Sequence, residues 1–164
     1  MRPRILVAGV GNIFLGDDGF GCEVIRVVQQ RGCLDADVRV VDYGTGGVHL
    51  AYDLLDGCDA LVLVDALPDG GTPGELRVFE ADLQDLPATG GLDVHSVDQG
   101  AVMATLRTLG GTPPRTIVVG CQVKDLGEGI GLSEEVRTAV PRAADAVRSV
   151  VAMLDSAGAT TGPN

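Results

Sequence analysis

Short apolar runs alternate along the chain with segments of helical periodicity. Continuous runs such as ALVLV at 60–64 are typical of strands buried on both faces of a sheet. Phe20, Val24 and Val28 recur at helical spacing, which predicts a helix with one apolar face. The predicted strands cover residues 5–10, 38–41, 60–64, 76–79 and 116–119. The predicted helices cover residues 18–31, 49–55, 96–109 and 133–155, with a fresh start or a kink at Pro141.

This alternation predicts an α/β fold in one domain. We expect a three-layer sandwich, with a twisted, mostly parallel five-stranded sheet between helices. Residues 76–79 lie between turn residues and are predicted to form an edge strand. The segment Ser96-Val97-Asp98-Gln99 resembles a capping box that opens the third helix. The domain is predicted to span residues 1–155, followed by a disordered polar tail at 156–164.

Composition and charge exclude some classes of function. The 164 residues carry 23 acidic and 12 basic side chains, a net charge of −11, with Lys124 as the one lysine. Binding of nucleic acid is therefore disfavoured, because neutralising phosphates needs a basic footprint. No apolar run approaches the roughly 20 residues that cross a bilayer. The chain passes from Met1 through Arg4 into a strand pattern, which leaves no room for a signal peptide.

The cysteines indicate a reducing compartment. The four cysteines form no C-x-x-C pair, so neither a zinc knuckle nor a disulfide framework is implied. We expect them to be reduced, mostly buried small apolar side chains. Together with the absence of membrane and export signals, this predicts a cytoplasmic protein.

Acidic residues follow three of the predicted strands. In open α/β sheets, ligands bind beyond the carboxyl ends of the strands. Asp18 lies in the loop after the first strand, Asp42 follows the second and Asp65 the third, and His95 precedes the next helix. Carboxylates and an imidazole suit a divalent ion such as nickel, zinc, manganese or cadmium.

Each of these residues also has a structural interpretation. An Asp after a strand commonly caps a helix or forms a turn, and a lone His is commonly a surface or capping residue. His49, within a predicted helix, is interpreted as structural. Gly9 and Gly11 invite a nucleotide-binding interpretation, but Phe14 stands where the dinucleotide fingerprint has its third Gly. Asp17 and Asp18 would also repel a pyrophosphate.

The first loop carries a resemblance to a known family. The run GVGNIFLGDDGFG at 9–21 resembles the opening signature of the hydrogenase maturation endopeptidases. The similarity continues, in the expected order, in DYGTGG at 42–47, VLVDA at 62–66, His95, TIVVG at 116–120 and the GLSEE region from Gly131. It covers about residues 4–155. Members of this family trim a C-terminal peptide from the large-subunit precursor of nickel–iron hydrogenases after nickel insertion.

The resemblance implies roles for individual residues. The metal-contacting positions of the family map onto Asp18, Asp65 and His95, and a further acidic position maps onto Asp42. Nickel would be supplied by the substrate, and cadmium or zinc could occupy the same site. We expect metal-assisted hydrolysis, with Asp18 or Asp42 as a general base toward water, and a monomeric protein. Cys22 is expected to pack into the first helix instead of acting as a nucleophile.

Two other functions stay open from sequence. One is a nickel-sensing escort protein with the same ligands and no cleavage activity. The other is a small nucleotide-binding domain, which would be stabilised by a nucleotide. The identity of the substrate hydrogenase does not follow from the sequence.

Overall fold

A computed structural model describes residues 2–32, 34, 37–68, 70–82 and 99–160. The strands are β1 (Ile5–Val10), β2 (Val38–Gly44), β3 (Ala60–Leu67), β4 (Leu76–Ala81) and β5 (Arg115–Gln122). The α-helices are α1 (Phe20–Arg31), α2 (Gly47–Leu55), α3 (Gln99–Thr108) and α4 (Glu134–Thr160). A 3-10 helix, Gly16–Gly19, directly precedes α1.

The five strands form one sheet in the order β2-β1-β3-β5-β4. The pairs β1–β2, β1–β3 and β3–β5 are parallel, and only β4 runs antiparallel to its neighbour. The mostly parallel α/β fold is confirmed. So is the edge position of the segment predicted at 76–79, because β4 pairs with β5 alone.

Alternate residues of each strand face two separate cores. Val62 and Val64 of β3 pack with the apolar faces of α1 and α4, whereas Leu61 and Leu63 pack with α2 and α3. This follows from the two-residue period of a strand. Both faces of the central strands are covered by helices, which explains why their sequences are apolar throughout.

Five elements extend past their predicted ends: β2, β3, β4, β5 and α4. β2 and β3 were predicted to end before Asp42 and Asp65, but both residues lie within the strands. The interpretation of Pro141 as a fresh start was wrong, since α4 continues through it. Pro141 lies on the exposed side of α4, and Val140 and Ala144 keep the opposite side buried, so packing holds the helix together. Helix α4 extends to Thr160, five residues into the predicted tail, and residues 161–164 lie outside the described part of the chain.

Close backbone packing brings the start of α1 onto the sheet. A Cβ atom added to Gly21 would lie 2.4 Å from the Val64 carbonyl oxygen and 2.5 Å from that of Val10. A Cβ atom on Gly9 would lie 2.7 Å from the Gly21 carbonyl oxygen. The two glycines therefore let the helix start directly above the ends of β1 and β3.

We expect Gly21→Ala to destabilise the fold by about 3 kcal/mol, because its methyl group meets two backbone oxygens that cannot rotate away. Urea unfolding monitored by circular dichroism measures this loss. Gly19→Ala is the matched control: its Cβ would approach no closer than 3.3 Å, and its φ of −75° suits alanine. Equal midpoints for the two variants would contradict the close-packing explanation.

Candidate active site

Asp65 is a carboxylate buried in the sheet near its carboxyl edge. Asp65 lies within β3 and is only 8% exposed. One oxygen accepts a hydrogen bond from the Ala66 N–H at 2.8 Å, and the other accepts one from Gln99 Nε2 at 3.1 Å. Burial, and to a smaller extent the charge of Asp18, raises the pKa of Asp65 to about 7, against two hydrogen bonds that lower it.

Asp18 is the second buried carboxylate of this edge. It lies in the 3-10 helix and is 6% exposed. Its Oδ2 accepts a hydrogen bond from the Asn12 N–H at 2.8 Å. The backbone approaches closely here, since a Cβ on Gly11 would lie 2.0 Å from the Asp18 carbonyl oxygen, and Gly11 has a φ of +140°. Asp18 lies close enough to Asp65 for its negative charge to raise the pKa of that carboxyl.

Asp42 lies at the same edge but in an exposed position. In β2 it is in register with Gly9 of β1, which in turn is in register with Val64, the residue before Asp65. Its Oδ1 accepts a hydrogen bond from the Gly44 N–H at 2.9 Å. The carboxylate is thus accessible to solvent beside the buried pair.

Cys22 lies close to Asp42 and Asp18 and does not suit nucleophilic attack. Its thiol donates to the Gly11 carbonyl oxygen at 3.6 Å. Burial, then hydrogen bonding to Asp42 and the charges of Asp42 and Asp18, raise the pKa of the Cys22 thiol to about 12. A thiol held protonated is a weak nucleophile. The prediction that Cys22 packs into α1 is confirmed by its 6% exposure.

The structure therefore brings together three of the four predicted site residues. His95 lies outside the described residues. Within the described ranges no group of three or more His, Cys, Asp and Glu side chains is placed to hold a metal ion. Of the predicted metal ligands Asp18, Asp65 and His95, only Asp18 and Asp65 are among the described residues. Both would bind a metal through oxygen. His49 is exposed on α2, with its Nε2 3.7 Å from Asp53 Oδ2.

Two neighbours of the site were not predicted from the sequence. Asp17 is fully buried and accepts hydrogen bonds from the N–H groups of Lys124, Asp125 and Ser133 and from the Ser133 hydroxyl, over 2.7–3.0 Å. It is a structural anchor, and no local pattern marks it apart from Asp18. Gln99 was interpreted as part of a capping box, but its Nε2 binds Asp65; Ser96 lies outside the described residues.

The first loop does not have the form of a phosphate-binding loop. Its Gly11 N–H donates to the Gly44 carbonyl oxygen, its Asn12 N–H to Asp18 and its Phe14 N–H to the Asn12 side chain. Phosphate binding in such loops depends on free backbone N–H groups that point at the ligand. These donors are already engaged by acceptors of the protein itself, one of which is the acidic side chain of Asp18.

The sequence model of a known family matches most of the chain. The family is described as hydrogenase maturation protease, and the match covers residues 22–150. The chain belongs to the hydrogenase maturation protease family. It is accordingly an endopeptidase, and the predicted family and enzyme class are confirmed.

Individual relatives are similar along most of the chain. The hydrogenase expression/formation protein HupD of Rhodobacter capsulatus is 36% identical over 126 residues, which cover 75% of this chain and 59% of that protein. The hydrogenase 2 maturation protease of Escherichia coli is 31% identical over 94% of this chain and 93% of its own length.

The fold is shared as well. The solved structure of the hydrogenase maturating endopeptidase HybD from Escherichia coli superposes with a TM-score of 0.79 at 30% identity, covering 92% of this chain and 93% of that one. No described helix of the present protease is both long and apolar enough to cross a membrane.

Proposed function

We propose that this protease removes a C-terminal peptide from the nickel-loaded large-subunit precursor of a nickel–iron hydrogenase. Nickel is part of the substrate, and Asp18, Asp65 and His95 recognise it. The observation that carries the proposal is the pair of buried carboxylates, Asp18 and Asp65, at the carboxyl edge of the sheet. Two buried acidic side chains close to each other are a favourable environment for a divalent cation.

The donor set fits nickel delivered by a partner. Two carboxylate oxygens and one imidazole leave coordination positions for ligands that stay on the substrate. A precursor without nickel would not bring the positive charge that Asp18 and Asp65 are proposed to recognise, so binding would discriminate loaded from unloaded substrate. Cadmium or zinc is expected to substitute as a probe ion. When bound, the ion would polarise the scissile carbonyl or acidify a water molecule.

The chain's own residues supply the proton transfer. Asp42 is exposed at the same edge, so it can reach a water molecule beside the buried pair. We assign it, or alternatively Asp18, the role of general base that takes a proton from the attacking water. Gln99 and the Ala66 N–H hold the Asp65 carboxylate in place. We also propose that the protease acts in the cytoplasm as a monomer, which sedimentation at increasing concentration would test.

His95→Ala is expected to lower cleavage of nickel-loaded precursor about 100-fold or more, because a direct contact to the ion is lost. Mass spectrometry of the released peptide measures the rate. Nickel or cadmium binding by calorimetry, where wild type binds, should weaken in the same variant.

His49→Ala is the matched control, since His49 is the other of the two histidines in the chain and lies exposed on α2. Its cleavage rate should stay within about twofold of wild type. Equal rates for the two histidine variants would refute the assignment of His95. A wild-type protein that binds loaded precursor without ever cleaving it would overturn the proposed substrate.

A further inference from the structure

Two loops beside the candidate site expose large apolar side chains. Phe14 is 61% exposed and Ile130 is 77% exposed, the largest exposed fraction among the large apolar residues described. Ile13 and Leu126, in the same two loops, are also exposed. We call Ile13, Phe14, Leu126 and Ile130 the apolar surface. Clustered exposed apolar residues are typical of interaction sites, whereas single ones are common anywhere.

Backbone hydrogen bonds join the two loops that carry this surface. The Gly129 N–H donates to the Phe14 carbonyl oxygen at 2.8 Å, and the Gly16 N–H donates to the Gly129 carbonyl oxygen at 2.9 Å. Leu15 and Gly129 thereby form a parallel β-bridge. Phe14 and Ile130 are each one residue from that bridge, so the apolar side chains are presented from a fixed backbone. Preorganisation of this kind lowers the entropy cost of binding.

The apolar surface adjoins the buried carboxylate of Asp18. Asn12, next to Ile13, donates its N–H to the Asp18 carboxylate. The Cα of Ile13 lies 3.3 Å from where a Cβ on Gly19 would be. A polypeptide whose metal centre reached Asp18 would therefore come close to Ile13.

Acidic side chains flank the apolar surface. Asp125 directly precedes Leu126, and Glu128 lies between Leu126 and Ile130. Both are exposed, and neither forms an ion pair with a described residue. The whole chain has a net charge of −11. A partner with both apolar and basic side chains complements this combination, since opposite charges steer association and disfavour acidic partners.

We infer that the apolar surface binds the stretch of the substrate polypeptide next to the scissile bond, through apolar side chains accompanied by Arg or Lys. The inference rests on the proposed function and adds a determinant of substrate choice. Binding there holds the peptide in place while Asp18 and Asp65 contact the metal. It acts on substrate binding and leaves the chemical step unchanged.

Ile130→Gln and Phe14→Gln test this inference. Each is expected to raise KM for nickel-loaded precursor about tenfold, with kcat within about twofold of wild type, because an apolar anchor is lost and the reacting groups are intact. Glu128→Gln should raise KM about two- to threefold at low salt, with the difference lost near 0.5 M salt. Met153→Gln, a 47% exposed apolar residue on α4, is the control and should leave KM unchanged.

The outcomes separate this inference from the proposed function. Wild-type cleavage combined with unchanged KM in Ile130→Gln and Phe14→Gln would overturn the docking surface and keep the protease function. A wild-type protein that neither binds nor cleaves the loaded precursor would overturn both. If sedimentation showed a dimer that Ile130→Gln dissociates, the occupant would be a second copy of the chain, which also overturns the inference.

Discussion

Replacing Asp17 by alanine is expected to destabilise the protein by about 3–4 kcal/mol. The fully buried carboxylate accepts four hydrogen bonds, three of them from backbone N–H groups in the segment from Lys124 to Ser133. Alanine leaves these part-buried donors without their acceptor, and each unsatisfied donor is destabilising by up to roughly 1–3 kcal/mol, not additively. Thermal unfolding measures the effect, with an expected decrease in Tm of about 10 °C.

Asp125→Ala is the control for the loss of Asp17. Asp125 belongs to the same loop, but it is exposed and accepts a single hydrogen bond, from the Gly127 N–H at 2.8 Å. It should destabilise by about 1 kcal/mol or less. A Tm for Asp17→Ala within about 2 °C of wild type would show that the segment is held by other contacts.

The effect of Asp17 also depends on pH. Burial raises the pKa of Asp17, but hydrogen bonds from Asp125, Ser133 and Lys124 outweigh burial and lower it below the ordinary value of 3.8. The folded state therefore binds the proton less tightly than the unfolded state does. The stabilisation by Asp17 is fully present above pH 3.8 and is lost as the pH falls through the lowered value. The difference in Tm between wild type and Asp17→Ala should shrink only in that acidic range.

The sheet could be predicted because its strands are buried on both faces. Apolar runs such as residues 60–64 give a signal that needs no tertiary information. Their ends could not be predicted in the same way, since a polar side chain at Asp65 does not interrupt backbone pairing with Gly120 of β5. The continuity of α4 through Pro141 likewise depends on a buried face that only tertiary packing provides.

The position of the candidate site could be predicted from the sequence, whereas the hydrogen bonds that hold its residues could not. The rule that ligands bind at the carboxyl edge of parallel strands led to Asp18, Asp42 and Asp65. The anchoring role of Asp17 depends on partners 107–116 residues away in sequence. The hydrogen bond from Gln99 to Asp65 spans 34 residues. No local pattern carries such information.

Asp17 and Asp18 are adjacent in one short 3-10 helix but have different roles. Successive residues of a 3-10 helix point in directions about 120° apart. Asp17 consequently points to the loop that carries Leu126 and Ile130, while Asp18 points to Gly11 and Asn12. The first holds the apolar surface in position, and the second borders Asp65.

Asp65→Asn is expected to stabilise the metal-free protein at neutral and alkaline pH while it removes activity. Because burial raises the pKa of Asp65 from 3.8 to about 7, the folded state holds the proton more tightly than the unfolded state does. The ionised side chain is thus destabilising, by about 4 kcal/mol above pH 7 as an upper estimate, and by nothing below pH 3.8. Tm of the variant should exceed that of wild type by on the order of 5–10 °C near pH 8, and the difference should vanish near pH 4.

The local hydrogen bonds permit this substitution. An asparagine oxygen can accept from the Ala66 N–H as Asp65 does now. Its amide N–H₂ would then face Gln99, whose own amide can turn over and present its oxygen. Asp42→Asn is the control, since Asp42 is an exposed carboxylate whose charge is already solvated. Its Tm should follow that of wild type across the same pH range.

Stability and activity should therefore change in opposite directions at Asp65. Cleavage of nickel-loaded precursor by Asp65→Asn should fall on the order of 100-fold or more, because a neutral amide is a poor ligand for a divalent ion. If Asp65 had only a structural role, Asp65→Asn would be equally stable or more stable and would still cleave the precursor. A variant that is less stable at every pH would show that the ionised carboxylate is held favourably without a cation. The combination of higher Tm near pH 8 and lost cleavage is expected if Asp65 is kept charged for function, as contact with the substrate's metal requires.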